Sequence, residues 1–306
     1  LFEIERVAAA AKKHGIRQGV MLRLTPGIEA HTHEKISTAH EDVKFGFSIA
    51  SGAATAAAAA VAAHPELELR GVHCHIGSQI FGSDAHEEAT DRLLAFMAEY
   101  RDAYKTELAE LDLGGGFGIA YIDGDITVEP SDVLPAIRAA VVAACKKYNL
   151  AIPTVSFEPG RNIVGPTMFT LYEVGTVKDV VIDGGVVRKY VSVDGGMSDN
   201  ARTALYDAEY TAIIAQRTSQ APLALTRLVG KHCETGDIII NEIQMASDVV
   251  PGDLIATPAT GAYGRSMASN YNHVPKPPVV AVKDGKARVI VRRENEADLL
   301  ALDVKE

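Results

Sequence analysis

The 306 residues are 47% hydrophobic and 23% charged, ordinary values for a globular protein with interior for one large domain or two smaller ones. A formal charge of −10 without any block of Lys or Arg argues against a nucleic-acid backbone or an anionic membrane surface as partner. The longest apolar run, residues 53–63 with Thr55 inside it, falls far short of the roughly 20 residues that span a bilayer. Cys74, Cys145 and Cys233 are widely spaced and form no C-x-x-C pair, so neither a disulfide framework nor a thiolate zinc site is expected, and a reducing cytoplasm is the expected compartment.

Leu1, Ile4, Val7, Ala8 and Ala11 follow helical spacing with no initiator Met or leader before them, so the chain is expected to begin in mid-fold. The strand-like GVMLRLTPG precedes an Ala-rich stretch at 50–63, read as a helix because Ala is the best helix former and Gly and Pro are scarce there. LELRGVHCHIG is then followed by the helical HEEATDRLLAFMAEYRDAY, ELAELDLGGGFG by PSDVLPAIRAAVVAACKKYN, and IPTVSFEPGR closes the series. Such a βαβα rhythm predicts parallel strands. After Pro166, short alternating strands flank the turn signals DGG and DG, as in VVAVKDGKARVIVRREN, which predicts antiparallel β structure. Two domains follow, 1–165 and 166–306.

In the first domain the unusual residues gather where strands end: His73 and His75, Gly114 to Gly116, and EPGR at 158–161. That is the layout of an α/β (β/α)8 TIM-type barrel. Four strand–helix units are present where a barrel needs eight, and half a barrel exposes two apolar edges. The barrel is therefore expected to be incomplete in this chain, with the first four strands missing.

Each motif has a chemical and a plain structural reading. Gly114, Gly115 and Gly116 can bring backbone N–H groups up to a phosphate, or make a tight turn; the spacing is not a dinucleotide fingerprint. Glu158 and Arg161 offer a carboxylate for a protonated nitrogen and a guanidinium for an anion, or an ion pair in a turn. On a strand, His73 and His75 share a face and Cys74 takes the other, which removes a Cys–His nucleophile. A metal is disfavoured because the other strand ends supply glycines and EPGR rather than His or Asp sets. A flat imidazole beside a glycine loop suggests stacking on a planar cofactor. Cys233, followed by Glu234 and Asp237, is suited to give a proton as a thiol. GAYGRSMASNYN has ligand-contact composition, and Arg202 and Tyr206 fall on one helical face able to hold a carboxylate.

Taken in order, HxHIGSQI, LDLGGGFGIAY, EPGR, VDGGM, RxALY, CETGD and GAYGxSMASNYN resemble the diaminopimelate decarboxylases, in the alanine racemase and ornithine decarboxylase group of pyridoxal-phosphate enzymes. The likeness runs from LRLTPGIEAHTH to RREN. It implies a barrel plus a β domain, pyridoxal 5′-phosphate as cofactor, no metal, and conversion of meso-diaminopimelate to L-lysine and CO₂. By the same resemblance His75 stacks on the cofactor ring, Ser78 and the backbone of Gly115 and Gly116 hold its phosphate, and Pro159, Gly160, Arg161 and Tyr263 extend that cradle. Glu158 would pair with the pyridine nitrogen. Arg161, Arg202, Tyr206 and Tyr263 would line the substrate, with Glu234 on its distal ammonium and Cys233 delivering the proton that replaces CO₂. The resemblance also implies an obligate homodimer in which Cys233 and Glu234 reach the partner's site.

Thr203 stands where the family usually has Pro, Thr235 where Ser is common, and LTPG where VNPG is frequent. The family's Schiff-base lysine, in a Tyr-Ala-x-Lys-Ala type motif, has no counterpart in the sequence, as expected if the first strands are missing. Rival expectations are a related basic amino-acid decarboxylase, a lysine-lacking cofactor-binding protein, and a metal-dependent hydrolase using His73 and His75. No role is assigned to His73 beyond packing in the barrel.

Overall fold

The computed structural model describes residues 1–28 and 44–304, so the EAHTH portion of LRLTPGIEAHTH, where the family likeness starts, lies outside them. The described chain forms two compact units, Leu1–Ile119 with Ile126–Asn162, and Ala120–Asp125 with Ile163–Glu306.

The first unit opens with α1 (Phe2–His14), which buries Ile4, Ala8 and Ala11 and stops at Gly15, where a φ of 63° turns the N–H back to the last carbonyls. Strands β1 (Gln18–Thr25), β2 (Phe47–Ser48), β3 (Leu67–His73), β4 (Glu110–Asp112) and β5 (Thr154–Ser156) form a parallel sheet in the order β2-β1-β3-β4-β5. Parallel neighbours need crossovers, and the helices supply them. These are α2 (Ala53–Ala62), α3 (Asp84–Tyr104) and α4 (Pro130–Tyr148). The alanine tract is thus helical, as its propensity predicts. Leu93, Leu94 and Met97 on α3, and Ile137 and Val141 on α4, recur at helical spacing and join Leu22, Val72 and Leu111 of the strands in one core. A short helix, α5 (Gly160–Val164), follows β5.

The pairing register decides what the strands present at their ends. Arg23 on β1 lies opposite His73, His73 opposite Asp112, and Asp112 opposite Ser156. One row across four strands therefore ends in two charged side chains and an imidazole.

The second unit contains β6 (Phe169–Val181), β7 (Val187–Val193), α6 (Arg202–Tyr206), β8 (Ile213–Ile214), β9 (Leu223–Val229), β10 (Ile238–Ala246) and β11 (Leu254–Pro258). Their sheet runs β10-β9-β7-β6-β11-β8. It is antiparallel except where β7 pairs with β9 in parallel. The sheet is mostly antiparallel, as expected; the parallel pair arises because residues 194–222 form an excursion long enough to bring the chain back in the same direction. Beyond α7 (Gly264–Met267), β12 (Val279–Lys283) and β13 (Lys286–Val291) make a separate hairpin, and α8 (Glu296–Leu299) follows. Its turn places Asp284 and Gly285 at φ of 52° and 69°, the type I′ geometry that DG favours.

Ala120–Asp125 joins the second unit through Tyr121: the Arg202 guanidinium lies 4.5 Å from its ring centroid and Tyr210 meets it edge-on at 5.3 Å. Among the described residues no helix is long and apolar enough to cross a membrane.

Candidate active site

In the first unit the site residues follow from where the strands stop. β3 ends at His73, and the Cys74 N–H continues the ladder to the Asp112 carbonyl at 2.9 Å. Cys74 is fully buried; burial, then the nearby Asp112, pushes its thiol up to about 12, so it stays protonated and unreactive.

The glycine loop is shaped by close approach of neighbouring backbones. A Cβ on Gly114 would lie 2.4 Å from the Cys74 carbonyl, one on Gly115 2.1 Å from the Glu158 carbonyl, and one on Gly116 2.3 Å from the Gly77 carbonyl. Gly114 and Gly116 also hold φ of 68° and 97°. The Gly114 N–H donates to Asp112 Oδ1 at 2.8 Å and the Gly115 N–H to His75 Nδ1 at 3.2 Å. Among the described residues no protein acceptor takes the Gly116 N–H. Of the three glycine N–H groups, it is the one left to meet an anion.

His75 is half-buried, and burial, then Arg23, holds its pKa below the usual histidine value. A neutral ring also fits the geometry, because Nδ1 accepts the Gly115 N–H and the proton then resides on Nε2. The Ser78 hydroxyl accepts from Arg161 Nε at 3.2 Å and Nη2 at 3.0 Å, which leaves its own O–H to donate. Pro159 and Gly160 carry the chain from Glu158 into α5, which begins at Gly160 and includes Arg161.

Glu158 has a half-exposed carboxylate whose Oε2 lies 3.3 Å from His73 Nε2. Asp112 completes the group: one ligand-type atom each from His73, Asp112 and Glu158 lie within 4.8 Å of one another, a composition that could accept a cation. The sequence argument that the other strand ends supply glycines and EPGR rather than His or Asp sets overlooked Asp112. Asp112 was hidden inside an apolar run, and the parallel register, not the sequence, sets it beside the histidine.

In the second unit a buried carboxylate organises the Cys233 loop. Asp237 accepts the Met197 N–H at 2.6 Å on one oxygen and the His232 N–H at 2.7 Å on the other. Cys233 is exposed, and its Sγ lies 3.6 Å from Glu234 Oε1. The Tyr271 hydroxyl donates to that same oxygen and holds the Glu234 carboxyl below its ordinary range. Glu234 Oε2 is buried and without a partner among the described residues. An orphaned carboxylate oxygen beside a thiol suits an ammonium ligand. His232 joins the group, its Nε2 at 2.9 Å from the Ser198 hydroxyl and its ring edge-on to Tyr271.

Arg202 and Tyr206 begin and end α6, as their spacing predicts, but the Arg202 guanidinium is buried and donates to the Tyr210 hydroxyl at 2.7 Å. Tyr263 is exposed at the start of α7 with φ of 66°. Sequence reasoning missed Asp112, His232, Tyr271 and the latch role of Asp237. The available signal was polarity: an Asp in LDL, and a second acid closing CETGD.

Residues 1–165 match the model of the pyridoxal-dependent decarboxylases, pyridoxal binding domain. The chain is 50% identical over 307 residues to the diaminopimelate decarboxylase of Mycobacterium tuberculosis, covering 99% of this chain and 69% of that protein. It is 43% identical to the Bacillus subtilis diaminopimelate decarboxylase over 303 residues, with 99% and 68% covered. Among solved structures, diaminopimelate decarboxylase from M. jannaschii in complex with L-lysine aligns at a TM-score of 0.88 and 30% identity, over 99% of this chain and 68% of that one. The Helicobacter pylori enzyme with L-lysine aligns at 0.85 and 31%, over 99% and 71%. The chain belongs to the diaminopimelate decarboxylase family.

Proposed function

We propose that the protein removes the carboxylate from the D-configured centre of meso-diaminopimelate, yielding L-lysine and CO₂, with pyridoxal 5′-phosphate as cofactor in a reducing cytoplasm. The observation that carries this reading is the convergence of His75, Ser78 with Arg161, and Glu158 around the Gly114–Gly116 loop. The fit to the cofactor rests on chemistry at each end. The Gly116 N–H, the Ser78 hydroxyl and the Arg161 guanidinium make an anion cradle suited to a phosphate. Opposite charge would meet a protonated ring nitrogen at Glu158, and the neutral His75 ring supplies a flat, uncharged face.

When bound, the cofactor supplies an electron sink for the bond that loses CO₂. The chain's own residues do the rest. Glu158 holds the proton on the ring nitrogen. Glu234, with its unpartnered oxygen, binds the distal ammonium, and Arg202, Tyr206 and Tyr263 line the distal carboxylate. Cys233 donates the S–H proton to the substrate carbon vacated by CO₂. By the family resemblance the active form is a homodimer in which Cys233 and Glu234 serve the partner's cofactor.

The test is CO₂ release from meso-diaminopimelate compared with ornithine, arginine and lysine, with cofactor added. Release confined to meso-diaminopimelate supports the assignment; equal or greater release from ornithine replaces it with a related decarboxylase. Stoichiometric zinc in place of pyridoxal phosphate would refute both.

A further inference from the structure

His73 has no part in the function just described, yet it is the side chain that bonds the Glu158 carboxylate. We propose that His73 is a positioning residue: through Nε2 it fixes Glu158 in the place needed to meet a pyridine nitrogen. The proposal rests on the assignment of Glu158 to that nitrogen and deepens it.

Three observations support it. First, Glu158 needs an anchor. Its side chain is 56% exposed and lies two residues past the end of β5, so its torsions are otherwise free and its position would be averaged over rotamers. Among the described residues, the hydrogen bond its carboxylate makes is the one to His73, at 3.3 Å. Second, His73 is itself fixed. It is the last residue of β3, paired on one side with Arg23 and on the other with Asp112, and its side chain is only 16% exposed. A strand-borne imidazole with few accessible torsions is a rigid support, the kind of second layer that holds a functional group to within a fraction of an ångström. Third, the neighbouring acid is already engaged. Asp112 Oδ1 accepts the Gly114 N–H, which ties it to the glycine loop and leaves Glu158 as the partner for His73.

The charges around the imidazole are Arg23 and Asp112 in its own row, Glu158 beyond it, and His75 two residues on. Nε2–H donates to one oxygen of Glu158, and the other oxygen remains to accept from a protonated ring nitrogen.

The experiment compares affinities of the intact protein for pyridoxal 5′-phosphate and for its 1-deaza analogue, in which a C–H replaces the ring nitrogen. His73→Leu removes the donor; His73→Gln places an amide N–H near the position of Nε2; His73→Asn keeps polarity but falls short. The expected result is a loss of roughly 3- to 10-fold in affinity for pyridoxal phosphate in the Leu and Asn variants, recovery in the Gln variant, and a change of less than about twofold for the deaza analogue. In a Glu158→Gln background, His73→Leu should have no further effect. Equal losses for both ligands, or no loss for either, would overturn the positioning role. If the unmutated protein itself binds both ligands equally, the pairing of Glu158 with the ring nitrogen fails, and that outcome is distinct from a failure of His73 alone. Zinc added by itself and bound stoichiometrically through His73 would also overturn the proposal by making the cluster a metal site. Should the Leu variant not fold, the Asn and Gln pair carries the same comparison.

Discussion

His75 Nδ1 accepts the Gly115 N–H at 3.2 Å, and at the other end of the same residue His86 Nε2 lies 3.3 Å from the Gly115 carbonyl oxygen. The glycine loop is thus clamped by two imidazoles, both with pKa values held below the usual histidine value, chiefly by burial. For His75, whose Nδ1 can accept only while unprotonated, a depressed value means its half of the clamp contributes in full above the unfolded value of about 6.5 and is lost as pH falls through the folded value, whereas His86 Nε2–H can donate to the carbonyl in either charge state. Protection of the Gly115 amide from hydrogen exchange, corrected for intrinsic rates, should therefore be high at pH 8 and fall as His75 protonates at acid pH. Retained protection at acid pH would show that protonation does not open the clamp.

Gly115→Ala should abolish cofactor binding and cost about 3 kcal/mol or more of stability, because its Cβ would sit 2.1 Å from the Glu158 carbonyl oxygen, a backbone atom that cannot rotate away. Denaturant titration and cofactor absorbance on the purified variant check both effects. Gly124→Ala is the control for steric contact: a Cβ there meets nothing within 4 Å, although its φ of 96° carries conformational strain of its own.

Asp237→Ala removes the acceptor of the Met197 and His232 N–H groups, burying two donors without partners, at an expected cost of about 2–5 kcal/mol. Turnover should fall more than cofactor affinity, because the loop that carries Cys233 and Glu234 loses its latch. Thermal unfolding and steady-state kinetics on the same preparation check the two parts.

Cys233→Ala should reduce turnover by about 100-fold or more while leaving cofactor binding within twofold, as expected for loss of a proton donor. Loss of cofactor absorbance would mean that the thiol has another role.

Tyr271→Phe removes the leading cause of the lowered Glu234 pKa, so the Glu234 carboxyl should titrate at higher pH. The acid limb of the pH profile for kcat/KM should move upward. An unmoved limb would assign it to another group.

How legible these features were in the sequence depends on the distance over which each is encoded. Periodicity set α1, α3 and α4, propensity the alanine helix, and DG the hairpin of β12 and β13, because those signals are local and each residue's neighbours along the chain are its neighbours in the element. The motif set was enough to name His75, Ser78, Glu158, Arg161, Cys233 and Glu234 as candidates, and strand alternation alone separated Cys74 from the histidines. Strand register was not encoded locally. Only the pairing of β3 with β4 put Asp112 beside His73, and only the approach of the Cys74, Glu158 and Gly77 carbonyls explained why Gly114, Gly115 and Gly116 are needed. The parallel pairing of β7 with β9, the passage of Ala120–Asp125 into the second unit, and the Asp237 latch were equally invisible. Each depends on groups that are remote along the chain and meet through packing. The sequence by itself determined which residue types carry the chemistry; tertiary structure decided which of them touch, and with that gave His73 a partner.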